Sequence, residues 1–151
     1  MSVNPFDLKT VLLAKHAQHV VLVHFPIALF LAGVAFDFLA HWRQQRLLAA
    51  AAYYNFFAAA LTTVPVLITG ILAWQWQLEG QRLKGILLMH LVAGCVSSAL
   101  IWAVWLLHRG AQREQGGILP RYRLPVEGAA VAVVVLTGHL GGFLSGVNVP
   151  S

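Results

Sequence analysis

The sequence predicts an all-α integral membrane protein, an up-down bundle of four transmembrane helices, on three observations. Hydrophobic residues make up 59% of the 151 and charged ones only 10%, whereas soluble domains carry about 25% charged residues. Four apolar stretches, at roughly 20–40, 48–74, 86–107 and 126–147, each reach the ~20 residues that cross about 30 Å of hydrocarbon. None of them alternates apolar and polar residues as a barrel strand would, and lipid admits only helices or closed barrels. The chain reads as one membrane domain, 1–151.

Ahead of the first stretch, Asn4 and Pro5 have the form of a helix N-cap followed by its first residue. Leu8, Val11 and Leu12 then share a face away from Lys9 and Lys15, which predicts a short helix lying in the interface. Asp7 precedes Lys9, and no small-residue cleavage site follows a separate apolar core, so a signal peptide is not expected and the N-terminus is retained. Pro65 falls inside the second span and predicts a kink rather than a break. The Ala run 49–52 suits close helix packing. Short connections set neighbouring spans antiparallel; the polar segment from Arg109 to Pro125 is the longest loop.

Side A of the membrane then holds both termini and the second loop, with Lys9, Lys15, Arg82 and Lys84. Side B holds Arg43, Arg46, Arg109, Arg113, Arg121 and Arg123. The positive-inside rule places side B in the cytoplasm, both termini outside, and the chain in a cytoplasmic (inner) membrane. The formal charge of +5 comes from Lys and Arg scattered between apolar runs with no recognition motif, so nucleic acid is not an expected partner. A single cysteine, Cys95, excludes a disulfide framework and the paired-cysteine sites of zinc ribbons, iron–sulfur clusters and c-type haem. No nucleophile and base, phosphate loop or carboxylate pair stands out, which favours an electron-transfer protein or subunit over an independent enzyme.

Seven histidines in so apolar a chain are the informative feature, because each intramembrane ionisable group needs a partner or a cavity. His41 and His108 close their spans at side B and read as interfacial anchors. His24 and His90, counted from the starts of spans one and three, both lie about 6 Å inside side A, and His139 about 12 Å. His16 and His19 lie above them at the interface. Gly94 and Ser97 leave room below His90, while Gly138, Gly141 and Gly142 near His139 read as packing before cofactor wall. Spans one and three are diagonal in an up-down bundle, so a ligand bridging His24 and His90 must be wide, and a haem plane suits that. Phe25, Phe30, Leu31, Trp74 and Leu91 would supply its apolar contacts. Copper or zinc held by three histidines, with His139 the alternative or additional ligand, competes with haem, as does a quinone headgroup hydrogen-bonded by the imidazoles. Asp37, near side B, reads as an ion pair or a hydrated carboxylate. Asn55, Thr62, Thr63 and Thr69 are expected to bond across helices or back to carbonyls.

His19, the stretch Val23-His24-Phe25-Pro26-Ile27-Ala28-Leu29, His90, and Gly138-His139-Leu140-Gly141-Gly142-Phe143-Leu144 together resemble a prokaryotic family of four-span predicted membrane proteins, domain of unknown function 2231. The resemblance covers essentially all the spans. In that family the first histidine of the opening motif is commonly followed by Pro, whereas Val20 follows His19 here. The resemblance therefore carries over best to His24 and His90 and does not extend to a role for His19. Relatives fused to cytochrome c domains imply a redox setting.

The expectation is a b-type haem protein passing electrons near the outer face, between quinone or another membrane carrier and an extracytoplasmic partner such as a cytochrome. His24 and His90 are the expected iron ligands, with His139 as substitute and Phe25, Gly94 and Trp74 as surroundings. A structural or assembly subunit of a larger membrane complex or homo-oligomer, and a copper- or zinc-handling protein, are the alternatives.

Overall fold

The structure, a computed structural model, describes residues 17–77, 79–80, 82–113 and 120–146. The expected interfacial helix at 5–12, and His16, lie outside these residues. Five helices follow in order: α1 Ala17–Leu22, α2 His24–Arg43, α3 Arg46–Gln77, α4 Gly85–Arg113 and α5 Arg123–Leu144. Four helical runs, with α1 and α2 counted as one, are long and apolar enough to cross a membrane.

The first span begins earlier than its apolar run. α1 continues into α2 through Val23, whose N–H still donates to the His19 carbonyl at 3.0 Å. Pro26, four residues after Leu22, has no N–H to offer that carbonyl, so the chain bends where α1 meets α2. Gln44, in the left-handed region at φ 53°, turns the chain directly into α3. There Pro65 is carried inside a helix that runs unbroken to Gln77. α4 runs on to Arg113 and α5 opens at Arg123, so the loop between them is shorter than the polar composition of 109–125 suggests. Pro125 falls in the first turn of α5, where a missing N–H costs no intrahelical bond.

α2 packs along α3, α3 against α4 and α4 against α5; α5 closes the ring with a lighter contact to α2, while α1 leans on α3. This is the up-down order. The core of the ring comprises Phe30, Phe56, Ala52, Ala59, Ala60, Ile101, Val104, Trp105, Ala130 and Val134. Three alanines on α3 let its neighbours approach closely. Phe56 needs more than that: its ring occupies the space beside Gly33, 2.7 Å from where a Cβ would stand. The outer surface is apolar, with Leu47, Ile68, Val96, Leu106 and Val135 exposed, as it must be against lipid.

Spans two to four are stitched by hydroxyls. Thr63 Oγ1 accepts from the Trp102 indole at 3.1 Å while donating to the Ala60 carbonyl. The Ser97 and Thr137 hydroxyls meet at 2.8 Å, and that of Thr137 donates to the Val133 carbonyl. Asn55 and Thr62 bond back to carbonyls of their own helix.

Candidate functional site

Toward side A, two half-buried histidines, His19 and His90, are each seated on a neighbouring helix. The His19 ring lies on α3: its Cε1 is 3.0 Å from where a Cβ of Gly70 would stand, and its Nδ1 is 3.2 Å from Thr69 Oγ1. The Thr69 hydroxyl also has the carbonyls of Pro65 and Val66 within reach, at 2.8 and 3.1 Å. The hydroxyl of Thr69 and Nδ1 of His19 share a hydrogen bond in which either can donate. The His90 ring lies on α5 in the same manner, with Cε1 3.1 Å from the Cβ position of Gly141 and Nδ1 3.1 Å from the Thr137 carbonyl. A carbonyl can only accept, so His90 carries its proton on Nδ1. Both rings are half-buried. His90 keeps an Nε2 lone pair with its second nitrogen tied to oxygen, the arrangement that orients ligating imidazoles.

His24 lies elsewhere. Five residues at 100° each put it about 140° around the helix from His19, and its side chain is exposed on the outer surface. Its Nδ1–H donates to the Val20 carbonyl at 2.7 Å, capping the last turn of α1 where the chain bends. His139 is also exposed, its ring edge-on to Phe143 with centroids 5.0 Å apart. The matched depth counted for His24 and His90 thus places the two rings on different surfaces. His19, set at the interface by the sequence count, is half-buried on α1, its ring against Gly70 of α3. Of the expected walls, Phe25 and Leu31 are exposed and Phe30 belongs to the central core. Trp74, one turn beyond Gly70, and Leu91, beside His90, are half-buried. Gly94 faces the Thr137 methyl at 3.9 Å, and Gly141 makes room for an imidazole.

A second polar group lies near side B. The Arg123 Nε–H donates to Asp37 Oδ2 at 2.8 Å, and His108 Nε2 meets Glu127 Oε1 at 2.9 Å; all four side chains are buried. Ligand atoms of Asp37, His108 and Glu127 lie within 4.8 Å of one another. His108 is therefore not an interfacial anchor: α4 continues past it to Arg113, which carries it below the helix end, against the Phe56 ring at 4.7 Å between centroids. Asp37 does form an ion pair, with span four rather than with its own helix. Glu127 and Arg123 were missed as site residues. The signal available for Glu127 was an acidic residue one turn inside an apolar span.

The sequence matches a family of predicted membrane proteins, DUF2231, over residues 15–148. The chain belongs to that family. The match takes in every described helix, so the four-span bundle and both polar clusters lie within the DUF2231 region. No curated protein and no solved structure matches the chain.

Proposed function

We propose that this DUF2231 chain is a b-type haem-binding electron-transfer protein or subunit of the cytoplasmic membrane, with His19 and His90 as its iron ligands near the extracytoplasmic face. One observation carries the reading: two half-buried imidazoles from non-adjacent spans, each with Nδ1 hydrogen-bonded to an oxygen of a neighbouring helix. The donor set suits the group. Haem held by His19 and His90 would supply one-electron transfer. The residues' part is to orient: Thr69 and the Thr137 carbonyl hold the two rings by Nδ1, while Gly70 and Gly141 let the rings lie against the helices. Quinone or another membrane carrier, and an extracytoplasmic cytochrome, are the partners this role calls for.

The orientation rests on the arginines of side B. Arg123 is buried in an ion pair and does not act as a loop charge. Arg43, Arg46, Arg109, Arg113 and Arg121 remain there, against Lys9, Lys15, Arg82 and Lys84 on side A, an excess that supports side B as the cytoplasmic face.

A dithionite difference spectrum of protein purified after expression with haem available tests the proposal. Reduced haem bands are expected, lost in His19→Ala and His90→Ala and kept in His24→Ala. Protein with no such bands refutes it. Two half-buried imidazoles also suit a copper or zinc ion, a second reading that elemental analysis of porphyrin-free protein would reveal. An intact fold with neither haem nor metal leaves the structural or assembly role.

A further inference from the structure

We infer that Asp37, Arg123, His108 and Glu127 form a proton-binding site, in which one exchangeable proton is shared between His108 and Glu127 and is taken from and returned to side B. The site stands apart from the histidine pair: eighteen residues of α4 separate His90 from His108, about 27 Å of helical rise. The inference therefore holds or fails without regard to haem.

Charge counting leads to the proton. Asp37 and Glu127 bring two negative charges, and Arg123 brings one positive charge. With His108 neutral, the cluster holds an uncompensated negative charge among buried side chains, which low-dielectric surroundings strongly disfavour. One proton cancels it. The 2.9 Å contact between His108 Nε2 and Glu127 Oε1 holds the imidazole's own hydrogen, since both atoms are otherwise acceptors; the added proton turns it into a charge-assisted pair of imidazolium and carboxylate.

A second, independent observation concerns the other carboxylate oxygen. Glu127 Oε2 is buried and has no hydrogen-bond partner, so nothing on that side of the carboxylate balances its charge. Ligand atoms of Asp37 and His108 lie within 4.8 Å of those of Glu127, and Arg123 is bonded to Asp37. The α3 helix packs the Phe56 ring on His108. Among the described residues the two pairs thus group four ionisable side chains, drawn from α2, α4 and α5.

The depth suits exchange with one side of the membrane. Glu127 is one turn into α5, about 6 Å from its start, and α5 starts at side B. A divalent metal ion is the rival occupant, since three of the side chains offer ligand atoms within 4.8 Å of one another. To bind there it must compete with the Arg123 guanidinium for Asp37 and displace the His108–Glu127 hydrogen bond. A proton displaces nothing.

Two size-conserving variants test the site in detergent-solubilised full-length protein. In the wild type, nitrogen-15 spectra of the histidine rings, with His108 assigned through His108→Gln, are expected to show an imidazolium-like His108 at neutral pH. Glu127→Gln removes one negative charge and should shift His108 to the neutral form. His108→Gln leaves the proton to Glu127, and a protonated-carboxyl infrared band absent from the wild type should appear, then vanish in the double variant. A neutral His108 that Glu127→Gln does not move, the absence of that carboxyl band in His108→Gln, or a stoichiometric divalent metal lost on Glu127→Gln would each overturn the proposal.

Discussion

Gly141 lets the His90 imidazole lie directly on the α5 backbone: a Cβ at that position would stand 3.1 Å from the ring's Cε1. Gly141→Ala therefore pushes the ring outward and strains its bond to the Thr137 carbonyl. The expected cost is about 1–3 kcal/mol, in the range of overpacking substitutions, with a larger proportional loss of any bound haem or metal. Thermal unfolding in detergent alongside pigment or metal content measures both. Gly138→Ala, where the nearest atom is the Ile27 methyl at 3.9 Å, is the control expected to change neither.

His19 and His24 are separated by their surroundings rather than by residue type. His19→Ala removes the ring that α3 seats, whereas His24→Ala removes a cap on the Val20 carbonyl at the bend of span one. The second change is expected to cost about 0.5–2 kcal/mol, as lost caps do, with cofactor content unchanged. Equal loss of cofactor in both variants would count against the pairing of His19 with His90.

Breaking the Asp37–Arg123 pair leaves one buried charge without its partner. Arg123→Ala is expected to destabilise the bundle by about 3–5 kcal/mol, and Asp37→Leu combined with Arg123→Leu by much less, since no charge is then stranded. Comparison of unfolding midpoints for the single and double variants checks this, and a double variant as unstable as the single one contradicts it.

Phe56 depends on Gly33. A Cβ there would meet the ring at 2.7 Å, so Gly33→Ala should destabilise by about 1–3 kcal/mol. Adding Phe56→Leu frees the space and should recover part of that loss. Additive losses in the double variant would show that the contact is not what requires the glycine.

Orientation is open to chemical labelling. In intact cells, a cysteine placed at Arg82, in a variant lacking Cys95, should react with a membrane-impermeant maleimide, while one placed at Arg121 should react only after permeabilisation. The opposite pattern reverses the assignment of the two faces.

Much of the fold was legible because membrane helices announce themselves by length: the four apolar runs could be satisfied only as spanning helices, and short loops fixed their order. Helix ends were less legible, since the polar residues that close an apolar run can still be helical. α4 runs six residues beyond Leu107 to Arg113, and that extension turns His108 from an expected anchor into a buried partner of Glu127. His19 precedes the apolar run and yet is helical and half-buried. Counting depth along a helix gives height but not azimuth, so His24 and His90 could be matched in height while their rings reached different surfaces.

The amino-acid sequence by itself determined that this is a four-span membrane protein with an excess of imidazoles, because the cost of unsatisfied backbone in lipid leaves no other fold for such runs. It also showed that the charged residues inside those runs would need partners. Only the tertiary structure decided which ones they found: His19 with Thr69, His90 with Thr137, Asp37 with Arg123 and His108 with Glu127. Each pairing joins residues of different helices, and the rotation and bend of those helices about their axes arise from packing, which no count along a single helix contains.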